Sequence, residues 1–183
     1  MKILRGVEGS VLWLLKDNSS VFRNLLKQTE KRGIDPQRLV FAERMNLPDY
    51  LARYRMADLF LDTLPFNAGT TASDALWAGL PVLTCMGEAF AGRMGGSLLQ
   101  AMDLPELITT SPADYVALAI ELATDRRKLH TIKEKLNRNR LTTLLFDTQA
   151  FTRNIEAAYT QMVERHYAGL PPAHIKVNAG VIA

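Results

Sequence analysis

Cysteine is all but missing from this chain. Cys85 stands alone among 183 residues, which excludes an internal disulfide and fits a reducing, cytoplasmic setting. Histidine is also scarce, and His130, His166 and His174 lack metal-ligand spacing, so neither a metal nor another cofactor is expected. No apolar run approaches the ~18 residues of a spanning helix, which excludes a helical membrane span. The N-terminal MKILRGVEGS carries charge without a continuous apolar core, so it does not read as a secretory signal. Charge of one sign is limited as well. A net +3 permits anionic ligands and does not by itself argue for nucleic acid. What remains is 48% hydrophobic and 22% charged, the make-up of a soluble domain, and the length suits one domain over 1–183.

Short apolar runs alternate with amphipathic stretches through the first two thirds. SVLWLL (10–15), RLVFA (38–42), DLFLDT (58–63), PVLTC (81–85) and ELIT (106–109) read as strands. Between them, helical spacing runs through Val21, Leu25 and Leu26 to a stop at Gly33, then over 47–57 and 89–102. Strands separated by helices of this length predict parallel pairing. Segment 111–175 reads as mainly helical. Ser111 and Pro112 open one helix, a basic stretch follows over 126–141, and Asp147 and Gly169 bound the last helix. The tail after PPAH (171–174) reads as irregular. The fold class is therefore α/β, a Rossmann-like doubly wound parallel sheet with a helical C-terminal extension.

One stretch, FNAGTTASDALWAG (66–79), carries chemistry. It follows the third strand, where loops at the carboxyl ends of strands lead into helix N-termini and hold ligands. Gly69 allows a tight turn and a close approach to a ligand. Thr70 and Thr71 would then open a helix with unpaired N–H groups and two hydroxyls, which suits a phosphate or diphosphate. Asp74, one turn inside, can accept hydrogen bonds from ribose hydroxyls. Thr71–Ala72–Ser73–Asp74 equally fits a capping box. By spacing alone the capping box is the preferred reading.

The run DLFLDTLPFNAGTTASDALWAGLPVLTCMGEAFAGRMGGSLL (58–99) closely resembles the C-terminal catalytic half of O-GlcNAc transferases, including bacterial members with tetratricopeptide repeats. SVLWLLKDN (10–18), RLVFAERM (38–45) and the segment 146–175 follow the same family in order. The resemblance implies the second of two facing Rossmann-like domains of a GT-B glycosyltransferase, with the N-terminal half lying before the stretch that matches Met1, so that Met1 reads as an internal boundary. It implies transfer of N-acetylglucosamine from UDP-GlcNAc to Ser or Thr, inverting and metal-independent. It also implies acceptor proteins engaged through other regions, and no sugar transfer by this chain alone. No catalytic residue is assigned. By the same resemblance Thr70 and Thr71 contact the diphosphate and Asp74 the ribose. Met45 and Leu47 lie where the uracil is held, Tyr50 and Arg53 face the nucleotide, and Phe66 and Asn67 lie on the sugar side of the turn beside Gly69. Such enzymes often carry histidine where Gly69 and Tyr50 stand, and lysine where Leu47 stands. Each lost donor near a departing diphosphate can remove on the order of 3 kcal/mol.

Other features read as structural. Gly95 and Gly96 in GEAFAGRMGGS (87–97) lack a P-loop ending and suit close helix–sheet packing. Arg93 reads as a salt-bridge former. The cations from Arg126 to Arg140 interleave with Leu129, Ile132 and Leu136 as the solvated face of an amphipathic helix, so no nucleic-acid partner is expected. Trp13 and Trp77 read as core residues, and Cys85 as buried and inert. Should the last helix normally cross to another domain, the chain would expose an apolar patch and self-associate. Two other readings stay open, a non-catalytic nucleotide-binding or interaction module and a UDP-sugar epimerase-like domain.

Overall fold

The computed structural model describes residues 1–177. Five short strands alternate with helices in chain order. The elements are α1 (Lys2–Gly6), β1 (Leu12–Leu15), α2 (Ser19–Glu30), β2 (Leu39–Ala42), α3 (Leu47–Arg53), β3 (Phe60–Leu61), α4 (Thr70–Ala78), β4 (Val82–Cys85), α5 (Met94–Ala101), β5 (Ile108–Thr109), α6 (Pro112–Thr124), α7 (Arg126–Thr142) and α8 (Thr148–Tyr167). Every strand pair is parallel, as the strand–helix alternation predicts. The α/β class and helical C-terminal segment follow the sequence reading. The hydrogen-bonded ladder falls into two sheets, β1–β2 and β3–β4–β5. β3 and β5 are only two residues long, so each ladder is short.

Capping residues explain most helix boundaries. The Asn18 side chain accepts the Ser20 amide, Ser111 Oγ the Asp114 amide and Asp147 Oδ1 the Ala150 amide, which satisfies donors that a helix start leaves open. Gly79 ends α4 in the left-handed region at φ 86°, where a side chain would be strained. The tail after Tyr167 is irregular to residue 177, and 178–183 lie outside the described residues.

Two expectations about these elements need correction, and one helix has no counterpart in the sequence reading. The one-turn helix α1 is not visible in sequence, because five residues are too few to show periodicity. It lodges Leu4 against Ile34 and Leu39. The helix expected over 89–102 begins only at Met94. Residues 86–93 form a loop with a single 3₁₀ turn at Phe90–Gly92 instead, closed by the Gly87 amide donating to the Gly92 carbonyl at 2.8 Å. Neither tryptophan is in the core. Trp77 is 49% exposed on the outer side of α4, edge-on to Phe146, and Trp13 lies under the Arg53 guanidinium.

The main core joins α4, β4, α5, α6 and α7 through Leu76, Val82, Leu99, Leu122 and Leu136, all essentially inaccessible. Burial of side chains of this size contributes roughly 1.5–3 kcal/mol each. Cys85, at the end of β4, is buried as expected. Part of the basic face of α7 is neutralised, with Lys128, Lys133 and Lys135 paired to Glu121, Asp58 and Glu106. Arg93 makes no ion pair among the described residues. No described helix is long and apolar enough to cross a membrane.

Candidate functional site

The loops after β3 and β4 meet at the carboxyl end of the sheet. The Asn67 amide donates to the Ala91 carbonyl at 2.9 Å, tying residues 62–69 to residues 86–93. From this junction α4 departs at Thr70, with Gly69 as its N-terminal flank and no side chain capping it. The capping box that spacing prefers is not formed. Thr71 lies inside the first turn rather than before it, so Asp74 has no flanking amide to satisfy. The amides of Thr70 and Thr71 therefore find no acceptor within the helix, and both residues are exposed. That leaves an open, electropositive helix start facing solvent.

Gly69 occupies this position for a different reason than a left-handed turn. Its φ is −98°, which other residues reach, and an added Cβ would meet only Met94 Cε at 3.7 Å. The glycine leaves room over the helix start without being required by the backbone. Asn67 departs further from expectation. It is fully buried, and its Nδ2 donates to the Thr63 carbonyl at 2.9 Å. It braces the turn from inside and does not face a sugar, because an inaccessible side chain cannot touch a ligand. Phe66 is 71% exposed, while its carbonyl accepts Thr63 Oγ1 at 2.6 Å.

A tyrosine that sequence reading missed gathers several expected residues. Tyr54, just beyond α3, shares a short hydrogen bond with the Tyr50 hydroxyl and donates to the Thr71 carbonyl at 3.3 Å. The two rings meet edge to face with centroids 5.0 Å apart. Burial, then the Tyr50 hydroxyl, then the charge of Asp74 push the Tyr54 phenol well above its ordinary range, against a smaller opposing pull from Arg53. Arg53 donates to the Glu43 carbonyl at 3.0 Å, and its guanidinium lies over the rings of Trp13 and Tyr50. Tyr50, Arg53, Thr71 and Asp74 thus form one wall between α3 and α4. A Tyr at i and another at i+4 on a short helix was the available signal for Tyr54. Met45 and Leu47 are exposed, one before and one at the start of α3, which Asn46 caps by accepting the Asp49 amide.

Asp62 and Thr84 also escaped the sequence reading. Asp62 ends the strand segment, is 5% exposed, and accepts Thr84 Oγ1 at 2.7 Å. Gly95 packs onto both, since a Cβ there would collide with the carboxylate and stand 2.6 Å from Thr84 Oγ1. This bears out close packing as the reason for that glycine. Among the described residues no group of three or more His, Cys, Asp or Glu side chains converges as a metal site. A cleft of about 280 Å³ with Arg55, Lys133 and Arg140 in its wall lies at the far end of α4. The helix dipole is negative at that end, and Lys133 is already paired with Asp58 there.

Known proteins resemble this chain over most of its length. A UDP-N-acetylglucosamine–peptide N-acetylglucosaminyltransferase of Caenorhabditis elegans is 35% identical over 178 residues, covering 97% of this chain and 16% of that protein. The probable enzyme of the same kind named SEC from Arabidopsis thaliana is also 35% identical, covering 96% of this chain and 18% of that protein. This chain therefore spans less than a fifth of the length of these relatives. A mutant O-GlcNAc transferase of Thermobaculum terrenum superposes with a TM-score of 0.83 at 34% identity, covering 88% of this chain and 32% of that one. The profile of glycosyl transferase family 41 matches residues 1–155, and the chain belongs to that family.

Proposed function

We propose that this chain is a single nucleotide-sugar-binding domain, the UDP-gripping part of an enzyme that transfers N-acetylglucosamine from UDP to Ser or Thr hydroxyls of proteins. The observation that carries the reading is the uncapped start of α4, where the Thr70 and Thr71 amides lack helical acceptors beside the Tyr50–Tyr54–Asp74 wall. In a family 41 chain this is a fitting seat for the diphosphate of UDP. Thr70 and Thr71 hold the diphosphate and stabilise it as it leaves. Asp74 accepts from the ribose, Tyr50 and Arg53 flank the nucleoside, and Met45 and Leu47 border the uracil. Phe66 stands on the sugar side, and Gly69 leaves that side open. Inversion follows from direct attack by the acceptor hydroxyl with no covalent sugar on the protein, and charge on the leaving group is met by amides rather than by a metal. The acceptor protein is engaged by other parts of the enzyme, and the setting is cytoplasmic.

The test is UDP titration followed by thermal unfolding. UDP at about 100 times its dissociation constant should add roughly 2.7 kcal/mol, a shift of roughly 5–10 °C for a domain of this size. Thr71→Pro, which removes the amide within a first turn that tolerates proline, should abolish most of that shift and leave the unliganded melting point in place. A full shift in the variant would put the diphosphate elsewhere.

A further inference from the structure

We infer that Asp62 is the positioning residue of the diphosphate turn, fixing where the Thr70 and Thr71 amides stand without touching the ligand. This rests on the reading of those amides as a UDP site. Asp62 Oδ1 accepts two backbone amides, that of Thr63 at 2.8 Å and that of Ala68 at 2.7 Å. These residues are the first and last of the turn that precedes Gly69. One carboxylate oxygen therefore staples the turn shut, and the chain leaves the staple directly into the first residues of α4.

The staple is itself held from three sides. Thr84 Oγ1, on the neighbouring strand β4, donates to Oδ2 at 2.7 Å. The Tyr115 hydroxyl, on α6, donates to the Asp62 carbonyl at 2.9 Å. Helix α5 closes the third side through Gly95, where any side chain would strike the carboxylate. A buried carboxylate accepting three hydrogen bonds costs more to disturb than a neutral acceptor, so its place is well determined. Strand, helix and turn meet at this one side chain, and the exposed amides lie two and three residues beyond its last contact.

Calorimetric titration of the whole chain with UDP and with uridine tests this. Uridine lacks the diphosphate and reports on the nucleoside wall alone. In Asp62→Ala, UDP affinity should fall about tenfold or more, equal to about 1.4 kcal/mol, while uridine affinity stays within about twofold. Asp62→Asn keeps an oxygen for the two amides, and the Thr84 hydroxyl can turn to accept from the new NH₂ group, so UDP affinity should stay within about threefold of wild type, or about 0.7 kcal/mol. Should Asp62→Ala fail to fold, Gly95→Ala gives the decision, because it displaces the carboxylate without deleting it and should cause the same selective loss. Wild-type UDP affinity in a folded Asp62→Ala or Gly95→Ala, or equal losses for UDP and uridine, would overturn the assignment. Equal affinities for UDP and uridine in the wild-type chain would instead sink the diphosphate reading, and the positioning role with it.

Discussion

The region around β1 and β2 and the region around β3, β4 and β5 are built on the same parallel pattern and held by different forces. β1 and β2 share four residue pairs, the longer ladder, yet only Leu4, Ile34 and Leu39 are buried in the cluster beside them. β3, β4 and β5 share two pairs at each junction and anchor a cluster of twelve buried side chains. Ladder length therefore does not locate the stability. Helices do, because α4 to α7 lay apolar faces on the second sheet, whereas α2 covers the first mainly with half-buried Leu25 and Leu26. The first region compensates with polar ties. The Arg38 guanidinium donates to the Val7 carbonyl at 2.7 Å and to the Ser10 carbonyl at 2.7 Å. The candidate site lies on the region with the larger buried core and touches the other through Arg53 and Trp13.

The contrast can be broken most directly in the cores. Leu76→Ala, at a fully inaccessible position, should cost about 3–5 kcal/mol, and Leu39→Ala about 2, both read from urea unfolding. Equal costs would mean that the two regions share one core. Arg38→Ala should cost about 1–3 kcal/mol, since two carbonyls lose a charged donor. Its loss should raise hydrogen exchange around β1 and β2 and leave β4 protected, whereas a uniform rise would erase the distinction.

Alkaline pH separates the regions more gently. Tyr54 and Tyr115 are both held above the ordinary phenol range, chiefly by burial. Above about pH 10 the unfolded chain sheds these protons and the folded chain keeps them, so stability present below that pH is lost as pH rises. Tyr54→Phe with Tyr115→Phe should flatten the decline, measured as melting temperature between pH 9 and 11. An unchanged slope would place the titrating groups elsewhere. The smallest effect belongs to the surface pairs of the first region. Lys16→Ala, which removes the exposed contact with Glu43, should change stability by about 0.5 kcal/mol or less.

Much of the fold was legible because its signals are local. Apolar runs marked all five strands, and Ser111, Asp147, Gly79 and Gly169 marked helix ends, since a cap or a left-handed residue acts within one turn. The exposed threonines of the site were legible in the same way. The rest depended on partners distant in the chain. Nothing near Asn67 announces that it points inward, and nothing near Asp62 reveals Thr84 or Gly95, which are far along the chain and in place only once the sheet and α5 have packed. Trp77 has the composition of a core residue, and the facing of α4 leaves it half exposed.

By itself the sequence determined the parallel α/β class, the helix ends that carry a local cap or stop signal and the position of the Gly–Thr–Thr start, all matters of hydrophobic period and local hydrogen bonding. Tertiary structure alone decided that this start is uncapped, that Asp62 staples the turn before it and that Tyr54 ties α3 to α4. Those outcomes depend on which buried polar groups find one another across the fold, and chain order does not encode that pairing.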